Sequence, residues 1–234
     1  MRSSIVMLGL SVGIFSFCAL GQNKESKRVE SSITVLEDIQ TIPDKVIPNY
    51  LLQKAQGIAI IPSVLKGAFG FGGRWGKGVM MVRTEKGTWS DPCFITLAGG
   101  SVGMQLGGQA TDFVLIFKTR RSIENVASGK LTIGADASAT AGPVGRNAEA
   151  STDAQLKAEI LSYAKSRGLF AGISIEGTSL SIDDDANMTF YNTKDVNANT
   201  IFAGKMTNQP PSAAKLHQAL IDISQGKNGA DSTK

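Results

Sequence analysis

The stretch "KGAFGFGGRWGKGVMMVR", residues 66–83, combines glycines with basic and aromatic side chains. Three kinds of structure use such a composition. Glycines near a lysine can cradle phosphate with backbone N–H donors, and basic side chains beside aromatic rings can contact the headgroups and interfacial zone of a bilayer. Glycines also let a strand bend or bulge without any ligand.

The spacing of this stretch does not match the nucleotide-binding loops. A dinucleotide fingerprint requires glycine at its first, third and sixth places, and counting from Gly70 the sixth place is Trp75. A Walker loop requires Ser or Thr after Gly-Lys, but Lys77 is followed by Gly78. We therefore expect the glycines to shape a bent sheet, with any lipid contact superimposed on that bend.

The candidate lipid-binding residues are Lys66, Arg74 and Lys77 for the headgroups and Trp75 as an interfacial anchor. Each cation contributes about 1 kcal/mol near an anionic membrane, so three give weak, salt-sensitive binding that the rings or a helix must strengthen. In the alternative interpretation the rings belong to the core and the cations are only solvated. Exposure of the three rings within residues 69–75 would favour membrane contact.

A calcium loop is suggested by "IDDDANMTF" but is incomplete. Asp183, Asp185 and Asn187 occupy its first, third and fifth places. The sixth place, normally glycine, is Met188, and the twelfth, normally glutamate, is Lys194. We interpret the first aspartate as a helix cap and expect no metal site.

The sequence lacks the sets of residues that nucleophilic catalysis and zinc binding usually require. His217 is the single histidine, so neither a second zinc-binding histidine nor an adjacent nucleophile–histidine motif is present. Cys93 is the one cysteine outside the N-terminal apolar run, and we expect it to be a small buried side chain. We predict no cofactor and no enzymatic activity; a deep pocket lined by two or more titratable side chains would instead support an enzyme.

The N-terminus has the pattern of a secretory signal peptide. A basic Arg2 precedes the apolar run "IVMLGLSVGIFSFCAL" and a polar segment. Small residues at Ala19 and Gly21 predict cleavage after Gly21, giving a signal peptide over residues 1–21. A retained membrane anchor is the alternative, although the run is shorter than the roughly 20 residues that span a bilayer. A lipid-modified Cys18 is disfavoured by the bulky Phe17.

Helical periodicity occurs at both ends of the remaining chain, and β-prone runs lie between them. Apolar spacing predicts a helix from Val29 to about Gln40, and a second helical region that ends at Gly57. A last amphipathic helix is predicted from Ser212 to Gly226. Between them we expect hairpins with turns at "EKG" and "SRG", a helix capped by Ser122 and closed by Gly129, and a helix capped by Asp183.

These elements predict an α+β fold with one domain, residues 22–226, followed by a disordered tail, residues 227–234. The sheet is expected to be antiparallel, glycine-rich, strongly bent and barrel-like. The N-terminal and C-terminal helices are expected to flank it.

Four stretches, taken in order, resemble the SYLF domain family: "IPDKVIPNYLLQKAQGIAIIPSVLKGAFGFGGRWGKGVMMVR", "GTWSDPCFITLAGGSVGMQLGGQATDFVLIF", "GPVGRNAEAS" and "YAKSRGLFAGISIEG". The resemblance extends from about Ser26 to Ser224. It implies a membrane-binding domain, with phosphoinositides as the ligands of eukaryotic members and actin filaments as a further ligand in fungi. It also implies lipid contact by an N-terminal amphipathic helix, here Lys24 to Gln40, which departs from a basic lipid-binding helix because it carries several acidic side chains.

We therefore expect an exported, periplasmic or extracellular protein that binds anionic phospholipid without catalysis and associates with membranes. An envelope scaffold that binds another envelope protein, without lipid dependence, is the alternative. Actin is implied only by the resemblance and is not expected for an exported protein. The formal net charge of +4 does not require a nucleic-acid partner, and none is expected.

Overall fold

The computed structural model describes residues 12–41, 47–69, 71–101, 110–145, 155, 157–166 and 169–226. Nine strands within these ranges form one sheet. The strands are β1 (Gly57–Phe69), β2 (Phe71–Val82), β3 (Cys93–Ser101), β4 (Thr111–Phe117), β5 (Lys130–Thr132), β6 (Ala139–Ala141), β7 (Ile160–Ser166), β8 (Leu169–Gly172) and β9 (Thr178–Ile182). The helices are α1 (Val12–Thr41), α2 (Asn49–Lys54), α3 (Arg120–Ala127), α4 (Asp184–Tyr191), α5 (Ala198–Phe202) and α6 (Pro211–Ser224).

The sheet has the strand order β5-β9-β3-β2-β1-β4-β7-β6, and β8 pairs with the same β7. All the described pairs are antiparallel except β6 with β7, which is parallel. The sheet curls into a half-barrel, and α1 packs against β1, β2, α4 and α6. The predicted α+β class and bent sheet are confirmed.

The first helix is amphipathic, as its periodicity predicted. Val29, Leu36 and Ile39 are almost completely buried, and a side-chain pair of Lys165 with Asp38 joins the helix to β7. The helix is longer than predicted: it begins at Val12, inside the predicted signal peptide, and ends at Thr41.

Two predicted caps are wrong, and one is confirmed. In α3 the cap is Thr119, whose hydroxyl accepts a hydrogen bond from the Ser122 backbone N–H. Ser122 therefore lies inside the helix and is buried. In α6 Ser212 is also an internal, buried residue, because the helix begins at Pro211. Asp183 caps α4 by accepting a hydrogen bond from the backbone N–H of Ala186.

Close packing of backbone against backbone explains why β2 is rich in glycine. A Cβ atom at Gly78 would lie 2.2 Å from the carbonyl oxygen of Ile60 and 2.8 Å from the Cα of Ile61. The register of β1 with β2 shifts just beyond this contact, between Ile60 and Leu65. Such irregularities increase the local bend of a strand, so the expectation that glycine shapes the sheet is confirmed at this position.

Gly78→Ala is expected to destabilise the fold by about 1–3 kcal/mol or more, because the added methyl group meets backbone that cannot rotate away. Gly100→Ala in β3 is the matched control. A Cβ at Gly100 meets nothing within 4 Å, so its effect should stay within about 0.5 kcal/mol. Urea denaturation measures both, and equal stabilities of the two variants would contradict the packing argument.

Candidate functional site

The ends of β1 and β2 present two large apolar side chains to solvent. Leu65 and Trp75 are directly opposed in the β1–β2 register, and their exposed fractions are 54% and 49%. Ala98, opposite Trp75 on β3, is exposed as well. We call Leu65, Trp75 and Ala98 the apolar corner. Among the described residues, Leu169 on β8 is the remaining large hydrophobic side chain that is well exposed.

The exposure of Trp75 meets, for one of the three rings, the criterion that would favour membrane contact. The other two rings of the stretch belong to Phe69 and Phe71, which are opposed in the register where β1 meets β2. Their side chains lie outside the described residues, as does the side chain of Lys66. The backbone register places Lys66 opposite Arg74, so two of the predicted cations occupy neighbouring positions on adjacent strands.

Arg74 projects from the face of β2 opposite to Trp75, because successive residues of a strand alternate between its faces. Arg74 is partly buried, and this desolvation lowers the pKa of its guanidinium. Its buried Nε has no hydrogen-bond partner among the described residues. The structure therefore separates this cation from the apolar corner by the thickness of the sheet.

Lys77 lies on the same face of β2 as Trp75 but has an internal partner. Its Nζ is 2.7 Å from Oδ2 of Asp183, and about a third of the Lys77 side chain is exposed. The positive charge is thus neutralised within the protein. Lys77 is the predicted headgroup contact whose charge is least available to a lipid.

Asp183 joins Lys77 to a buried charge cluster, which we define as Glu25, Arg28, Lys77 and Asp183. Arg28 Nη1 is 3.5 Å from Oδ2 of Asp183 and Arg28 Nη2 is 2.9 Å from Oε2 of Glu25. The side chains of Glu25, Arg28 and Asp183 are each about nine-tenths buried. The cluster contains two acids and two bases, so its formal charge is zero.

Burial governs the electrostatics of this charge cluster. It raises the pKa of Glu25, although the neighbouring Arg28 acts in the opposite direction. Oε2 of Glu25 accepts no well-aligned hydrogen bond despite its short distance to Arg28, which leaves this carboxylate incompletely compensated. Arg28 also lies over the Phe94 ring, 5.3 Å from its centroid. The cluster therefore fixes α1 to β2, β3 and the start of α4.

Sequence reasoning identified Asp183 as a helix cap but missed its ion pairs. The partners are 155 and 106 positions away along the chain, so no local spacing marks them. Lys77 was identified by its neighbours in sequence, and these gave no sign that its charge is matched by Asp183.

Cys93 is completely buried, as predicted. Desolvation raises the pKa of its thiol to about 12. The Sγ atom lies 3.6 Å from the Asn187 side-chain nitrogen. A thiol in this environment is a poor nucleophile.

No group of three or more metal-ligating side chains occurs in the described parts of the chain. None of the described helices combines the length and the apolar composition that crossing a bilayer requires.

Comparisons with known proteins agree on one family. A family profile described as "Ysc84: Las17-binding protein actin regulator" matches residues 98–223. Protein YSC84 of Saccharomyces cerevisiae is 40% identical over 180 residues, which cover 76% of this chain and 38% of that protein. LAS seventeen-binding protein 3 of the same species is 40% identical over 180 residues, or 76% of this chain and 39% of its own length.

An animal relative gives a similar result. SH3 domain-containing YSC84-like protein 1 of Xenopus laevis is 37% identical over 197 residues, covering 82% of this chain and 58% of that protein. The chain therefore spans less than two thirds of the length of each of these relatives.

Asp183→Asn is expected to destabilise the protein by about 3 kcal/mol, the lower end of the range for removing one partner of a buried ion pair, because Lys77 is partly exposed. Asparagine still caps a helix, so the loss reports the charge alone. Asp184→Asn, an exposed acid in the next position, is the control and should cost about 0.5 kcal/mol. Urea denaturation measures the free energy of unfolding of both variants. Equal losses of stability would show that the charge cluster contributes nothing specific.

The thiol of Cys93 is expected to resist alkylation in the native protein at about pH 8.5, where an ordinary cysteine is half ionised. A Cys18→Ser variant isolates this thiol, and iodoacetamide labelling followed by mass measurement detects it. Labelling should appear only after denaturation. Rapid labelling of the folded variant would contradict the burial and the raised pKa.

Proposed function

The chain belongs to the Ysc84 (SYLF) family. We propose that it is a non-enzymatic binding domain that associates with anionic lipid surfaces through the apolar corner. The observation that carries this proposal is the pair formed by Trp75 and Leu65, opposed on adjacent strands and both about half exposed. The descriptions of the family and its relatives refer to binding and regulation, which supports the non-enzymatic part.

The apolar corner has the composition of an interfacial anchor. An indole ring is favoured at the level of the headgroups, where one end meets apolar chains and the other meets water. Transferring the exposed halves of Trp75 and Leu65 out of water contributes on the order of 1 kcal/mol each. That is too little for stable attachment without help from charge.

Lys66 and Arg74 are the predicted cations nearest to the corner along the strands, but alternation places Arg74 on the opposite face from Trp75, so its attraction acts only through the thickness of the sheet. They are opposed in the register, one step along the strands from Leu65 and Trp75, and each cation contributes about 1 kcal/mol near an anionic surface. Lys77 contributes less because Asp183 already pairs with it. The proposed binding is therefore weak, sensitive to salt and centred on the ends of β1 and β2.

Export remains part of the proposal. A signal peptide over residues 1–21 would place the mature chain in a periplasmic or extracellular compartment, where the lipids it meets differ from eukaryotic phosphoinositides. Within the structure, residues 12–21 continue α1 without a break, so cleavage after Gly21 would shorten that helix and leave its charged, buried half in place.

A second candidate function is binding to another protein without lipid dependence. It is favoured by the names of the family and of a yeast relative, which refer to Las17 binding and actin regulation. For an exported chain the corresponding partner would be an envelope protein, and actin would enter only by analogy. A pull-down from envelope extract that is unchanged by added vesicles would favour this candidate.

Trp75→Ser is expected to reduce co-sedimentation with anionic vesicles about fivefold to tenfold at low salt, since losing one interfacial anchor removes about 1 kcal/mol. Leu169→Ser is the matched control, because Leu169 is also well exposed, at 68%. It lies on β8, which is separated from β1 by the two strands β4 and β7. Neutral vesicles should bind neither the unaltered chain nor the variants. No sedimentation of the unaltered chain with anionic vesicles, or equal losses in the two variants, would overturn the assignment of the site.

A further inference from the structure

A cleft of about 1010 Å³ opens at the far end of β2 from the apolar corner. Its walls are the loop after β2, helix α3, the end of α5 and the first turns of α6. From Trp75 to the end of β2 at Val82 is roughly 23 Å along the strand. The volume is that of a small-molecule site, and the cleft is independent of the proposed lipid contact.

Two buried polar side chains in the cleft have atoms without hydrogen-bond partners among the described residues. Asp91 is 8% exposed and Trp89 is 4% exposed, and both line the cleft. Oδ2 of Asp91 and Nε1 of Trp89 have no hydrogen-bond partner. Orphaned buried polar atoms are uncommon in folded proteins and costly when the group is charged. One oxygen of a buried carboxylate that lines the cleft is therefore left without a protein partner, which points to a ligand.

The surrounding groups hold Asp91 in place without neutralising it. The Trp89 carbonyl oxygen lies 2.9 Å from Nε2 of His217, and a carbonyl only accepts, so this nitrogen carries the proton. His217 and the backbone N–H of Met206 lower the pKa of Asp91, but burial has the larger effect and raises it. Oδ2 of this carboxylate is left without a hydrogen-bond partner among the described residues.

The hydroxyl of Ser90, the residue before Asp91, already has two hydrogen-bond partners. Ser90 Oγ accepts a hydrogen bond of 3.0 Å from the Val82 backbone N–H and donates one of 2.9 Å to the Asp91 carbonyl. It is therefore not available as a nucleophile. The cleft contains several titratable side chains, the feature that would support an enzyme, but this serine serves structure, and we interpret the cleft as a binding site.

The rim of the cleft carries charges of both signs. Glu85 and Glu124 are exposed acids, and Lys86, Arg120 and Lys205 are exposed bases. A purely cationic ligand would be repelled by the three bases, and a purely anionic ligand would meet Asp91. A molecule with both charges matches the buried acid and the basic rim together.

We propose that this cleft binds a small dipolar ligand, whose ammonium or guanidinium group pairs with the carboxylate of Asp91 and whose anionic end faces the basic side chains of the rim. Free amino acids and related ω-amino acids are the simplest compounds of this class.

The proposal is tested by titrating the full chain with 4-aminobutyrate, butylamine and butyrate and measuring the binding heats by isothermal titration calorimetry. The three probes have the same carbon skeleton and differ only in their charged ends. We expect 4-aminobutyrate to bind more tightly than butylamine, and butyrate to bind least. Absence of saturable binding by 4-aminobutyrate, or butyrate binding as tightly as 4-aminobutyrate, would overturn the proposal.

Asp91→Asn is expected to weaken 4-aminobutyrate binding about tenfold or more, because it removes the counterion while keeping the shape of the side chain. Glu176→Gln removes an exposed negative charge outside the cleft and should change binding less than about twofold. Equal losses in the two variants would show that Asp91 is not the anchor. If Asp91→Asn does not fold, the relative affinities of the three probes for the unaltered chain still test the proposal.

Discussion

The close contact of β2 with β1 at Gly78 is the constraint on which the architecture depends. Only a residue without a side chain lets the carbonyl oxygen of Ile60 approach this backbone, at 2.2 Å from where a Cβ would stand. The register shifts immediately beyond it, and the sheet curls into a half-barrel. One part of the curled sheet is covered by α1 and α4, whereas the ends of β1 and β2 extend past them with Leu65 and Trp75 exposed.

The charge cluster complements this geometry. Apolar packing alone would not fix the position of α1 along the sheet, because hydrophobic burial is non-directional. The pairs of Asp183 with Lys77 and Arg28 fix the position of the helix on β2 and at the start of α4. Such buried pairs contribute little net stability compared with apolar packing, but they are costly to break. One aspartate thus couples helix capping, helix position and the charge that Lys77 leaves available on β2.

Sequence reasoning predicted the features that depend on local patterns. The apolar spacing of Val29, Leu36 and Ile39 gave the buried face of α1, and glycine in a β-prone run gave the bend. The cap at Ser122 was wrong because Thr119, three residues earlier, competes for the same role and takes it. Caps depend on where a helix begins, and two cap-forming residues three positions apart leave that start ambiguous.

Features that depend on distant parts of the chain could not be predicted. Asp183 meets Arg28 only because α1 crosses the sheet. His217 contacts the carbonyl oxygen of Trp89, although the two residues are 128 positions apart in the sequence. Neither segment of sequence alone therefore indicates the cleft. The candidate lipid site was predicted as four neighbouring residues, yet alternation along β2 sends Arg74 to the opposite face from Trp75. The structure supplied the geometry that joins these segments.

Tryptophan emission tests the central claim most directly. A Trp89→Phe variant leaves Trp75 as the one fluorescent indole, since the chain has two tryptophans. If the apolar corner enters the interfacial zone, anionic vesicles should shift the emission of Trp75 to the blue, and brominated lipids should quench it. Emission that stays unchanged with vesicles, while brominated lipids leave it unquenched, would contradict membrane contact at this corner.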